Sequence, residues 1–79
     1  MTDEEMVRIA AALNDLDDQL WAAEKADNVS EQVAVLRERA RVWRRWADHL
    51  EQSGRDNYPA VLSAMRDDIS ADRLAEGAL

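Results

Sequence analysis

Apolar residues return at intervals of three and four through most of the chain, the period of one face of an α-helix. In the first segment they fall at Met6, Ile9, Leu13, Leu16, Leu20 and Ala23. A second set runs Val29, Val33, Leu36, Ala40, Trp43, Ala47 and Leu50 without a break. This alternation is a heptad seam, the pattern of helices that lie side by side. A third, shorter set is Tyr58, Leu62, Met65 and Ile69, and the next position on that stripe is Asp72. No Val/Ile/Thr-rich alternating run suggests a strand.

The punctuation between these runs sets the boundaries. Thr2-Asp3-Glu4-Glu5 reads as a capping box, with acids at the positive end of the helix dipole. Asp27-Asn28 closes the first run, and Asn28 or Ser30 can cap the second helix. Ser53-Gly54 stops that helix, with Gly54 as the left-handed residue after its end. Pro59 suits the first position of a third helix, and Tyr58 before it should be extended. The spacing therefore predicts helices over about 3–26, 30–53 and 59–70. Residues 71–79 keep Leu74 and Leu79 but no clear stripe, which predicts a kinked or weakly structured tail.

The short connection near Asp27–Ser30 predicts that the first two helices form an antiparallel hairpin. Its facing layers would be Leu20 with Leu36, Leu16 with Ala40, Leu13 with Trp43, Ile9 with Ala47 and Met6 with Leu50. On one flank Asp17 and Glu24 would approach Arg37 and Arg44. On the other, Val35, Val42 and Trp46 would receive the third helix, with Leu62, Met65 and Ile69 inward. The fold class is all-α, a small three-helix bundle. Its expected core is Met6, Ile9, Leu13, Leu16, Leu20, Val33, Leu36, Trp43, Trp46, Leu50, Leu62, Met65 and Ile69.

Composition sharpens this picture. Fourteen alanines, eight leucines, two glycines and one proline favour helix over any other state. With 79 residues there is room for one small domain, which buries only about 60% of the surface its unfolded chain exposes. The chain has no Cys, so disulfides, thiolate metal sites and Cys nucleophiles are excluded. No apolar run approaches the roughly 18 residues of a membrane span. The acidic N-terminus argues against a targeting peptide. A soluble, cytoplasmic protein is expected.

Candidate chemistry is sparse. Asp15, Asp17 and Asp18 superficially suggest a calcium loop, but no Gly follows at the turn and Leu16 and Leu20 belong to a helical seam. Asp67-Asp68 with Asp72 superficially suggests a magnesium-diphosphate motif, without the second acidic cluster such a site needs. His49 lies one turn from Trp46 and has no convincing nucleophile or acid beside it. A non-enzymatic protein without metal or cofactor is expected.

Two features argue for association. The third helix offers few anchors, and Trp21, with Val7 on the same edge of helix 1, sits away from the expected helix 3. Large exposed aromatics are enriched at interfaces, so a homodimer or another protein partner is expected, with Leu74 and Leu79 as further contact candidates. Charge supplies two alternatives. Net charge is −7 overall, with −6 over residues 1–28, +1 over 29–54 and −2 over 55–79. Arg37, Arg39, Arg41, Arg44 and Arg45, interleaved with Trp43 and Trp46, could bind nucleic acid, although the acidic first helix can neutralise them. Conversely, an acidic helical protein can occupy a basic nucleic-acid-binding surface, as phage- or antitoxin-type antagonists do.

Overall fold

The computed structural model describes residues 3–77. It is a bundle of three helices, α1 (Asp3–Lys25), α2 (Val29–Gln52) and α3 (Tyr58–Gly77). The Thr2 cap and Leu79 lie outside the described residues. None of the described helices is long and apolar enough to cross a membrane.

Each helix ends for a local reason. After α1, Asp27 takes the left-handed conformation (φ 54°). The Asn28 amide then reaches back to the Ala23 carbonyl at 2.9 Å, and that of Asp27 to Glu24 at 3.1 Å. This pair of bonds satisfies carbonyls that the helix end would leave open. The Asn28 side chain caps α2 by accepting from the Glu31 amide at 3.1 Å. Gly54 (φ 73°) repeats the same closure after α2, with Arg55 donating to Leu50 at 2.8 Å and Gly54 to Glu51 at 3.0 Å. α3 begins one residue before Pro59, at Tyr58, whose amide donates to Asp56 at 3.0 Å. It then continues through the expected weak tail to Gly77.

α2 is the central element. It contacts α1 on one side and, more closely, α3 on the other; α1 and α3 make no direct backbone approach to each other among the described residues. Ile9 and Leu16 of α1 pack with Val35 and Val42 of α2, and Ala12, Leu13, Leu20 and Trp46 close around them. The valine stripe of α2 therefore meets α1, and does not receive the third helix as the pattern suggested.

α3 turns the other way from expectation. Its buried positions are Ala60, Ala64, Asp67 and Ala71. Met65 and Ile69, read from the sequence as core, are 52% and 46% exposed, while Leu62 is half-buried. At about 100° per residue the alanine stripe and the Tyr58/Leu62/Met65/Ile69 stripe lie about 160° apart, on nearly opposite sides of one helix. Both stripes repeat at four, three, four. The smaller one faces α2 because it allows the backbones to come close, and because its ion pairs lie there. Arg39 and Arg44 engage Asp67 and Asp68, and Arg37 engages Asp72 at 3.2 Å. Arg37 and Arg44 thus pair with α3, not with Asp17 and Glu24 of α1.

The resulting shape is thin, 42 × 20 × 12 Å over Cα atoms. Its radius of gyration is 13.6 Å. A compact domain of this length would have about 11.6 Å.

Candidate docking groove

Because α1 and α3 sit on separate flanks of α2 without close backbone approach among the described residues, one side of α2 remains open between them. Three recesses of about 280, 280 and 440 Å³ follow one another along this opening. The first lies among Met6, Ile9, Leu13, Trp43 and Trp46. Leu13 and Trp43 also line the second, where α3 contributes Ser63, Arg66 and Asp67. The third runs from Leu20 and Glu24 across Gln32 and Leu36 to Arg73 and Leu74. The first two recesses share Leu13 and Trp43 and the last two share Arg39, so together they form a groove interrupted at its middle by the Arg39 side chain. Its floor extends from Gln32 to Trp46, fifteen residues or about 21 Å of helix.

Arg39 bridges the middle of the groove. Its Nε and Nη2 donate to the two carboxylate oxygens of Asp67, each at 2.8 Å. Its Nη1 donates to Asp17 Oδ1 of α1 at 2.7 Å. One guanidinium therefore ties together three helices, two of which make no close backbone approach to each other among the described residues. The paired contact with Asp67 is the main cause that holds the Arg39 pKa above its ordinary value; burial opposes it, and Asp17 adds to it. A cation with a raised pKa contributes its stabilisation fully below its unfolded value and loses it only as pH climbs through the folded one. Arg39 thus remains charged throughout the ordinary pH range.

The other sequence-selected residues are distributed differently. Met6, Leu13, Leu20 and Trp43, read as core, are half-buried and line the groove, as does Leu74. Ile9, Leu16 and Leu36 are buried, while Val33, Trp46 and Leu50 are half-buried. Trp21 and Val7 are exposed on α1. The Lys25 ammonium lies 4.3 Å from the centre of the Trp21 ring, within cation–π range. Within the arginine cluster, Arg37, Arg39 and Arg44 hold α3 aspartates, and Arg41 pairs with Glu38 at 2.8 Å. Arg45 is exposed.

The candidate metal motifs are otherwise occupied. Asp67, Asp68 and Asp72 each face an arginine of α2. Asp15 accepts from Gln19 at 2.8 Å, and Asp17 from Arg39. Among the described residues no group of three metal-ligating side chains converges. His49 stacks on Trp46 with ring centres 5.6 Å apart.

Sequence reasoning missed the groove and its bridge. The available signal was the match between Asp67, Asp68 and Asp72 and the acid-seeking Arg37, Arg39 and Arg44, together with an alanine stripe at helical spacing on α3. Comparison with family models, with curated proteins and with solved structures finds no match to this chain.

Proposed function

We propose that this protein is a non-enzymatic interaction module that assembles with copies of itself. The observation that carries this reading is the inversion of α3: alanines line its seam with α2, while Tyr58, Val61, Met65 and Ile69 stand in solvent. A helix whose larger apolar side chains face outward has a second surface to cover. The exposed area supports the same reading. The chain exposes 5447 Å². A compact monomer of its mass would expose about 4,850 Å². The excess, about 600 Å², approaches the roughly 800 Å² per partner of a standard interface.

In this reading α1 and α2 form an antiparallel hairpin. Support comes from the three-residue connection and from groove walls where Met6 and Ile9 neighbour Trp46 while Leu20 neighbours Leu36. The arginines of α2 serve mainly to hold α3. That leaves the nucleic-acid alternative with little free basic surface on α2.

The test is sedimentation velocity from micromolar to near-millimolar protein. A weight-average mass that rises with concentration toward a multiple of 9.0 kDa supports self-assembly. A constant monomer mass over that range refutes it.

A further inference from the structure

We propose that the groove of one protomer receives the outward face of α3 from a second, and that the exchange is reciprocal. The outcome is a closed two-fold dimer of six helices in two layers. This rests on the self-assembly reading above and specifies its geometry.

Four observations favour a second copy as the occupant. First, the stripe and the groove match in kind. One is a convex row of Tyr58, Leu62, Met65 and Ile69; the other is a trough whose walls include Met6, Leu13 and Leu20 of α1. Second, they match in length. The stripe covers twelve residues, about 17 Å, against a floor of about 21 Å.

Third, their charged edges match in sign and spacing. Arg66 and Arg73 border the α3 stripe, seven residues apart; among the described residues neither forms an ion pair, and each shares a recess with the acid of its own chain at the same height, Asp17 for Arg66 and Glu24 for Arg73. Asp17 and Glu24 border the α1 wall of the groove, also seven residues apart. With α1 parallel to the incoming α3, Arg66 falls opposite Asp17 and Arg73 opposite Glu24. Both pairs then form at the same repeat of about 10.5 Å.

Fourth, the arrangement closes. α3 meets α2 through its alanine stripe, and its outward stripe lies about 160° away. It can therefore sit between its own α2 and the α1 of the other protomer. Each chain offers one stripe and one groove, so two copies satisfy both surfaces. The two layers read α1, α3 of the partner, α2 of the partner, and the same order inverted below.

Analytical ultracentrifugation of charge-swapped variants tests this geometry. Met65→Glu lies on the exposed stripe, so helicity by circular dichroism should persist while the dimer dissociation constant rises at least about 30-fold. Arg73→Glu and Glu24→Arg should each weaken the dimer, and the double variant, with the pair reversed, should recover most of the loss. A wild-type chain that remains monomeric overturns both this geometry and the self-assembly reading. A dimer indifferent to Met65→Glu, or one in which the double swap is no better than either single, leaves self-assembly standing and overturns this geometry. Open-ended growth into filaments overturns the closed arrangement.

Discussion

Replacing Arg39 with Met should be the most destabilising polar substitution in the protein, and the reason is the carboxylate it leaves behind. The Asp67 side chain is only 9% exposed, and both of its oxygens are held by Arg39. Removing one member of a buried ion pair costs about 3–5 kcal/mol, because the remaining charge has lost water and gained nothing. A domain of this size has about 4–12 kcal/mol in all. Arg39→Met therefore removes between about a quarter and all of the stability. The reverse deletion is milder. In Asp67→Asn, Arg39 keeps Asp17 at 2.7 Å and some solvent, its side chain being 21% exposed. About 1–2 kcal/mol is expected. Asp17→Asn, at a carboxylate 59% exposed, should cost at most about 1 kcal/mol. The double variant Arg39→Met/Asp67→Leu removes both charges and should be at least about 2 kcal/mol more stable than Arg39→Met alone. Urea denaturation followed by circular dichroism at 222 nm, at dilute protein, measures all four. The bridging argument fails if Asp17→Asn costs as much as Asp67→Asn. It fails equally if the double variant melts no later than Arg39→Met.

Three further outcomes follow from other parts of the molecule. Ala64→Leu, at a site 1% exposed between α3 and α2, should cost about 1–3 kcal/mol by overpacking, whereas Met65→Ala, one residue on, should change dilute-protein stability by less than about 0.5 kcal/mol; chemical denaturation compares them directly. Gly54→Ala should cost about 1 kcal/mol because its φ of 73° strains any side chain even though the space is open, while Asp27→Gly, at φ 54°, should gain about 0.5–1 kcal/mol in the same assay. Trp21→Ala should leave the thermal midpoint of dilute protein nearly unchanged, since the ring is exposed beside Lys25; a large drop would mean that it covers the turn between α1 and α2.

The sequence by itself determined the number of helices, where the first two end, and the face that α1 presents. These follow from local physics. A run of good helix formers with apolar residues at three and four needs only its own backbone bonds and caps, and Asn28 and Gly54 supply their caps through their nearest neighbours. Ile9 and Leu16 were legible as core for the same reason, since helix 1 has only one large apolar stripe.

Only the tertiary structure decided which stripes of α2 and α3 meet. α2 carries two usable stripes, Val35/Val42/Trp46 and Leu36/Ala40/Ala47, and α3 carries one of alanine and one of larger side chains. Periodicity ranks these by hydrophobicity, which favours the larger one. Packing ranks them by the total of close backbone approach, ion-pair registry and apolar burial, and the three arginine–aspartate contacts tip α3 toward its alanines. Residues 71–77 became helical for the same reason: Ala71 is fully buried against α2, and Asp72 is held by Arg37, contacts made thirty-five residues away along the chain. No local pattern carries that distance, so the open groove and the Arg39 bridge across it exist only once the chain has folded.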